Sequence, residues 1–306
     1  MNIEKRTDGI NRMYVAEHTV SGTTTELLDI QESIKHTNIS KCYYKPTSDK
    51  PVTFLKINPN KGKIDNAMVK SHKEFEQIVE QIFIDIGADI SKFNYRRADL
   101  SINTDESGDY YLYKKLYKLI ICCLSIDNGI IDNAYECNQL WSCKSLNTAI
   151  KNSMIEAENY NKEIESHGAV PTTNRLELRT KQISDNSTLE EEFAKKWCKR
   201  LESARTRYDD VMKTYNDNLE RLYKEDLAKP KKDRSYLSLN AFLMQYSSCI
   251  FCTAQMKDLV SRFDEVNNPE SKAKNFKRYH KIEYISKTDL NVVIRALKKK
   301  IKEYYR

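Results

Sequence analysis

Hydrophobic and polar residues alternate with a period of two in several short segments of the chain. Such alternation predicts strands with one buried and one polar face, because successive side chains of a strand point to opposite sides. Three of these segments, separated by polar and Pro-containing turns, precede residue 66. They run from Met13 to Val20, from Ile39 to Tyr44 and from Val52 to Ile57.

Three later segments place charged residues on one side and apolar residues on the other. The polar sides carry Arg97, Asp99 and Ser101 in 95–103; Glu156, Glu158, Tyr160 and Lys162 in 154–162; and Arg175, Glu177 and Arg179 in 174–179. The apolar sides include Leu100, Leu176 and Leu178. Asp and Glu are poor strand formers. Their recurrence on the same face of three predicted strands therefore favours a polar site over an ordinary solvated face.

Helical spacing of apolar residues alternates with these strands. Residues 71–87 and 111–124 both read as helices. The mixed order predicts an α+β fold: an antiparallel sheet with one polar, catalytic face and helices on the other. We place this first region at residues 1–185 and expect 186–306 to be entirely helical.

The second region begins with a predicted long helix, from Leu189 to Leu227. A heptad-like seam runs along it, which packs either on a helix of the same chain or on a second subunit. The seam consists of Tyr208, Met212, Tyr215, Leu219 and Leu222.

The last helix opens with Ser286 and Asp289, a spacing that predicts a capping box. Its apolar face is predicted to hold Leu290, Ile294, Leu297, Ile301 and Tyr304, and its basic stripe Arg295, Lys299, Lys302 and Arg306. Such a stripe suits contacts with DNA phosphates, although it does not read a base sequence by itself. The competing interpretation is a solvated lysine-rich helix.

Charge is concentrated toward the carboxyl end of the chain. Residues 186–306 contain 27 Lys and Arg against 18 Asp and Glu, whereas residues 1–185 contain 24 against 26. Residues 272–306 alone hold 12 basic and 3 acidic side chains. A locally basic end on a nearly neutral remainder favours contact with a polyanion such as nucleic acid.

Composition excludes several other classes of protein. No run of about 18 apolar residues exists and the amino terminus lacks a hydrophobic signal core, so we expect a cytoplasmic protein with no membrane partner. Cys249 and Cys252 form the only C-x-x-C pair of eight cysteines, and a helix would place both on one face as core thiols. No phosphate-binding Gly-rich loop is found, which argues against nucleotide hydrolysis.

The polar strand face suggests metal-assisted attack on a phosphodiester. Carboxylate oxygens are the ligands that a hard divalent cation prefers, and such a cation polarises a phosphate. Glu158 is a candidate metal ligand or general base, and Glu156 a weaker candidate. Lys162 would favour the phenolate of Tyr160 or neutralise the phosphate. A tyrosine with its ordinary pKa of about 10 is almost entirely protonated at neutral pH, so it needs such activation before it can attack a phosphate.

The order of these segments resembles the replication initiators of rolling-circle plasmids, in particular the trans-acting Rep family and the related relaxases of integrative elements. The resemblance covers residues 93–183 and depends on the Arg-x-Asp strand, on Tyr160-Asn161-Lys162-Glu163, and on Asn174-Arg175-Leu176-Glu177-Leu178-Arg179. It implies a site-specific DNA nickase whose tyrosine holds the 5′ phosphate covalently and frees a 3′ hydroxyl that primes synthesis.

Carried over by position, the resemblance assigns Tyr160 as the nucleophile and Asp99 and Glu177 as ligands of Mg²⁺ or Mn²⁺. The expected DNA-binding residues are Arg97, Arg175, Arg179, Arg295, Lys299 and Lys302. The expected partners are the origin DNA of a plasmid or mobile element and a host helicase, with a homodimer as a further candidate.

The sequence departs from the wider class of rolling-circle nucleases at one point. Those enzymes often bind metal through a histidine-hydrophobe-histidine pair, which is absent here, and only His167 is kept as a reserve ligand. Two other functions stay open: a non-catalytic DNA-binding protein on the same scaffold, and a metal-dependent nuclease that activates water.

Overall fold

The computed structural model describes most of the chain, and the statements below concern those residues. The described ranges are 13–46, 51–61, 68–105, 110–125, 148–151, 153–165, 167–168, 173–280 and 284–306. Cys137 and Cys143 lie outside them.

Seven antiparallel strands form one sheet in the order β2-β3-β1-β4-β7-β6-β5. Their bounds are β1 Met13–Thr24, β2 Ile39–Lys45, β3 Val52–Ile57, β4 Phe93–Asp105, β5 Thr148–Lys151, β6 Ile155–Asn161 and β7 Thr173–Thr180. All of the predicted strands are present, and with the helices given below they confirm the α+β class. The polar segments β4, β7 and β6 are neighbours in the middle of the sheet.

The sheet keeps the two-faced pattern that the sequence predicts. Leu100, Leu178 and Ala157 are fully buried on the apolar face. The polar face is also covered along β7, where Arg175 is 0% and Glu177 2% exposed. A solvated polar face is therefore excluded for this strand.

The prediction that Lys162 lies on the polar face of the strand with Tyr160 is wrong. The strand ends at Asn161, and Lys162 begins a short helix, so it does not project from the sheet beside Tyr160. The physical reason is local: the Asn161 side chain accepts a hydrogen bond from the backbone N–H of Glu163 at 2.9 Å, which turns the chain.

Ten α-helices occur in the described residues, and short 3₁₀ turns connect some of them. They are α1 Ile30–Ser33, α2 His72–Asp85, α3 Tyr110–Ser125, α4 Lys162–Glu165, α5 Cys198–Thr206, α6 Tyr208–Leu227, α7 Leu239–Gln245, α8 Thr253–Ser261, α9 Pro269–His280 and α10 Lys287–Tyr304. The two helices predicted in the first region correspond to α2 and α3.

Helices α3 and α10 cover the apolar face of the sheet. Helix α3 packs on β5, β6 and β7, and α10 packs on β1 and on α3. The capping box of α10 is present, with Ser286 and Asp289 each accepting from the other's backbone N–H. All five apolar residues predicted for this helix are buried. The helical region therefore completes the core of the sheet region.

The long helix predicted from Leu189 to Leu227 is wrong in its continuity. The chain forms a π-helical segment at Glu191–Trp197, then α5 and α6, which are separated at Arg207, where φ is −98° and ψ is 7°. The seam of α6 packs against later residues of the same chain. Tyr215 packs on Phe251, with ring centroids 5.7 Å apart.

The prediction that one helix carries Cys249 and Cys252 is also wrong. Cys249 ends a 3₁₀ turn, and Cys252 is the extended N-cap of α8, with its Sγ 3.3 Å from the backbone nitrogen of Gln255. A cysteine at an N-cap accepts a backbone hydrogen bond that a mid-helix cysteine cannot. Both cysteines are free thiols.

None of the helices in the described ranges is both long enough and apolar enough to span a bilayer.

Candidate active site

Strand register gathers the predicted polar residues at the centre of the sheet. Asp99 lies opposite Arg179 in the β4–β7 pair. In the β6–β7 pair, Glu158 lies opposite Glu177 and Tyr160 opposite Arg175. Because directly opposed side chains are about 5 Å apart at Cβ, these residues form one continuous cluster.

The phenolic hydroxyl of Tyr160 donates a hydrogen bond to the Glu177 carboxylate, at 2.5 Å from its Oε1 atom. Tyr160 is 6% exposed. Burial, followed by the negative charge of Glu177, raises the pKa of Tyr160 well above its ordinary value. The tyrosine is consequently a neutral phenol with a carboxylate in place to accept its proton.

The guanidinium of Arg179 lies at the centre of the carboxylate cluster. It contacts Glu156 and Glu177, lies 2.7 Å from Glu158 Oε2, and places its Nε 3.9 Å from Asp99 Oδ2. Burial alone lowers the pKa of Arg179, but the carboxylates outweigh it and raise that pKa above its usual range. One fixed cation thus links four acidic side chains.

The two outer carboxylates of this cluster differ in their partners. Asp99 accepts two hydrogen bonds from Arg97, at 2.9 and 3.1 Å. Burial nevertheless raises the pKa of Asp99, and burial likewise raises the pKa of Glu158 beside Arg179. A carboxylate with a raised pKa costs stability when it is ionised, which is typical of functional sites but also of structural networks.

Arg175 is fully buried, so in this conformation no phosphate reaches its guanidinium. Its Nε donates to Asn103 Oδ1 at 2.6 Å, and its NH1 lies 3.9 Å from Glu177 Oε1. Met68 Sδ is 3.8 Å from its NH2 atom. Arg175 thus approaches the Oε1 atom of Glu177, whereas Arg179 contacts its Oε2 atom.

The sequence interpretation missed Asn103 as a member of the cluster. It is fully buried on the same face of β4 as Asp99 and Ser101. The sequence did contain a signal for Asn103, because residues 97, 99, 101 and 103 are two apart along one strand and therefore lie on the same face. An asparagine carries no charge, so it did not stand out.

Lys162 remains near the tyrosine although it has left the strand. Its Nζ is 6.0 Å from the centroid of the Tyr160 ring, and it forms an ion pair with Glu165. His167, the reserve metal ligand, is exposed in the following turn at a positive φ of 54°.

The described residues contain no group of three or more His, Cys, Asp or Glu side chains arranged to hold a metal ion. Carboxylates of this kind suit a hard cation chemically. However, Arg179 contacts the Oε2 atom of Glu177 in this conformation. Metal coordination by Asp99 and Glu177 therefore stays a prediction.

The basic stripe predicted on the last helix is exposed as a set. It comprises Arg295, Lys299, Lys302 and Arg306. Lys299 Nζ lies 3.7 Å from a Glu303 carboxylate, a weak pair on an exposed surface. The stripe lies on the side of α10 that faces away from the core, where a polyanion has access to it.

Among solved structures, the chain is similar to the rolling circle replication initiator protein from Geobacillus stearothermophilus. The similarity covers 78% of this chain and 96% of that chain, at 9% identity and a TM-score of 0.28. No protein-family model matches the chain. No curated protein matches it either.

Proposed function

We propose that this protein is a replication initiator that nicks origin DNA through Tyr160. The observation that carries the proposal is the short hydrogen bond from the Tyr160 hydroxyl to Glu177. A nucleophile within hydrogen-bond reach of its base, which is itself held by a third group, is the general geometry of nucleophilic catalysis. Here the third groups are Arg175 and Arg179.

The reaction exchanges one phosphate ester for another. The Tyr160 oxygen forms a bond to phosphorus and the bond from phosphorus to the 3′ oxygen breaks. The phenolic proton passes to Glu177, and the leaving 3′ oxygen takes a proton from solvent water. The products are a covalent 5′-phosphotyrosine and a 3′ hydroxyl, which serves as the primer for rolling-circle replication.

Cations on the polar face of the sheet would support this chemistry electrostatically. Charge-assisted hydrogen bonds from guanidinium groups stabilise phosphate oxygens. Arg97, with a side chain 35% exposed, and Arg179, at 16%, are more accessible than Arg175. The ammonium group of Lys162 would favour the phenolate during attack.

The metal proposal carries a structural requirement. A bound Mg²⁺ or Mn²⁺ would supply polarisation of the scissile phosphate. Asp99 and Glu177 would hold it only once the Arg179 guanidinium moves away from the Glu177 carboxylate that it contacts. Glu158, which lies opposite Glu177 in the strand pair, would be a further ligand.

The partners and location follow from the same proposal. Origin DNA of a plasmid or mobile element would contact the stripe of α10 as well as the sheet site. A host helicase would unwind the nicked DNA, and the reaction would take place in the cytoplasm. A homodimer is a further prediction.

A non-catalytic DNA-binding protein is the second candidate. Two observations favour it: Tyr160 is buried, and its pKa is raised rather than lowered. Under this alternative, the tyrosine and the ion pairs only stabilise the sheet.

Replacement of Tyr160 by Phe separates the two functions. For a nickase, wild-type protein incubated with supercoiled origin DNA and Mn²⁺ leaves protein attached to a 5′ end, and Tyr160→Phe abolishes the adduct while retaining DNA binding. Cleavage without attached protein on a denaturing gel would instead identify a water-activating nuclease. Binding without any cleavage by the wild-type protein would identify the non-catalytic alternative.

A further inference from the structure

A cleft of about 590 Å³ opens at one end of the sheet, away from Tyr160. The ends of β1, β2 and β6, the strand β3 and the residues that follow β7 surround it. Its lining includes Thr23, Lys45, Phe54, Arg96, Lys181 and Ser184. Apolar side chains and cations therefore meet in the same cavity.

Three cations lie around this cleft. Lys45 is exposed at the end of an edge strand. Arg96 pairs with Asp185 and keeps its side chain 44% exposed. Lys181 lies 3.7 Å from Glu156. Each ammonium or guanidinium group retains donors beyond one carboxylate contact, which an incoming phosphate can use.

An aromatic platform adjoins the cations. The rings of Phe54 and Tyr43 stack with centroids 4.7 Å apart and planes inclined by 29°. Tyr43 is 45% exposed. Exposed aromatic rings next to cations are the arrangement on which unpaired bases stack, because every base offers a π face.

The cleft is separate from the proposed active site but borders its carboxylate cluster through Lys181. Strand β6 leads from Met154, in the cleft lining, toward Tyr160. Six residues of strand span roughly 20 Å. Lys181, which contacts Glu156, joins the cleft to the carboxylate cluster. A DNA strand that reaches Tyr160 can thus extend to the cleft.

We propose that this cleft binds an unpaired nucleotide of the DNA strand, with the base against Phe54 and Tyr43 and the phosphates near Lys45, Arg96 and Lys181. The inference rests on the proposed function, because the nucleotide would belong to the same DNA strand that Tyr160 attacks. A base within a duplex stacks on its neighbours and cannot occupy the platform. Cations alone would attract duplex and single strand alike.

The test compares single-stranded and duplex binding by the full chain. Fluorescence anisotropy would be measured with a labelled oligo(dT) and with a duplex of the same length. All variants would be made in the Tyr160→Phe background, so that strand transfer cannot interfere. Phe54→Leu removes the ring and keeps an apolar lining, Lys181→Gln removes a cation, and Lys213→Gln is a charge-matched control on the exposed side of α6.

Loss of a stacked base is expected to weaken oligo(dT) binding about five-fold or more in Phe54→Leu. Lys181→Gln should weaken it as well, whereas Lys213→Gln should not, and the Phe54 variant should leave duplex binding within about two-fold. If Phe54→Leu fails to fold by thermal melting, Tyr43→Ser at the exposed end of the platform replaces it.

Unchanged oligo(dT) binding in either cleft variant would overturn the proposal, as would equal losses for single strand and duplex in the aromatic variant. Failure of the cleft and failure of nicking are separable. A covalent adduct at Tyr160, together with unchanged oligo(dT) binding in the cleft variants, would contradict only the cleft proposal. A selective loss of oligo(dT) binding in the cleft variants, together with no adduct in the protein that retains Tyr160, would contradict only the nickase proposal.

Discussion

At the scale of single residues, the contact between Tyr160 and Glu177 determines what the polar face can do. The sequence interpretation made Glu158 a candidate metal ligand or general base and gave Glu177 a metal role. The structure instead places the Glu177 oxygen within hydrogen-bond distance of the phenol. Strand pairing explains the difference, since Glu177 is the diagonal neighbour of Tyr160 across the β6–β7 pair.

Glu177→Gln is expected to lower the rate of adduct formation about a hundred-fold or more, because the amide cannot take the phenolic proton. Glu158→Gln is the matched control, since Glu158 contacts Arg179 but lies outside the Tyr160 hydrogen bond. Single-turnover nicking assays of both variants would measure the rates. A larger loss of rate in Glu158→Gln than in Glu177→Gln would show that Glu158 is the base.

Asp99→Asn is expected to preserve or raise the stability of the protein at neutral pH while abolishing nicking. Burial raises the pKa of Asp99, so its ionised form costs folding free energy. The protonated Asp99 carboxyl contributes stability at a pH below its pKa in the unfolded chain. This contribution is lost as the pH rises through the higher pKa that Asp99 has in the folded protein. The advantage of the variant in urea midpoint should therefore be largest near pH 7 and should shrink as pH falls through the carboxyl range. A variant that is less stable than wild type at pH 7 would contradict this account.

Much of this residue-scale picture could be predicted because alternation assigns each strand residue to a face. The position of Arg179 could not. Four carboxylates gather around one guanidinium only after three strands are paired in register, and no local pattern specifies that pairing.

At the scale of elements, α10 combines a core helix with a basic outer surface. Its buried face holds Leu290, Ile294 and Leu297, so removal of residues 272–306 would unfold the core rather than test DNA binding. Point variants on the exposed stripe avoid this problem.

Combined replacement of Arg295, Lys299 and Lys302 by Gln is expected to weaken duplex binding and flatten its dependence on salt. Each lost phosphate contact lowers the slope of log K against log salt by about 0.9. Anisotropy titrations between low and moderate salt would give the slope, and thermal melting would confirm that the fold is intact. An unchanged slope would leave the stripe as a solvated helix surface.

The elements themselves were predictable to different degrees. Strong signals such as the Ser286 and Asp289 capping box gave the start of α10. The break at Arg207 left no such signal, because the apolar spacing continues through it and no Pro or Gly marks it. The later helices that pack against α6 lie 30 or more residues beyond Arg207 in the chain, outside the reach of a local pattern.

At the scale of the whole molecule, the sheet and the helical region have a common core. Trp197 lies in the helical region, is fully buried, and donates through its indole nitrogen to Thr180 of β7 at 3.0 Å. The sequence division near residue 185 coincides with a change of secondary structure. The buried residues on both sides of it form one hydrophobic cluster.

A single cooperative unfolding transition is expected for the full chain, because buried residues of both regions form one hydrophobic cluster. Differential scanning calorimetry would check it through the agreement of calorimetric and van't Hoff enthalpies. Two resolved transitions would show that residues 1–185 and 186–306 fold as separate units.

The central claim is that Tyr160 forms a covalent bond with DNA. The most direct measurement incubates the protein with Mn²⁺ and supercoiled candidate origin DNA, digests the complex, and maps the modified residue by mass spectrometry. The account predicts a nucleotide adduct on the peptide that contains Tyr160 and no adduct in Tyr160→Phe. An adduct on another tyrosine, such as Tyr95, or an adduct that persists in Tyr160→Phe, would contradict it.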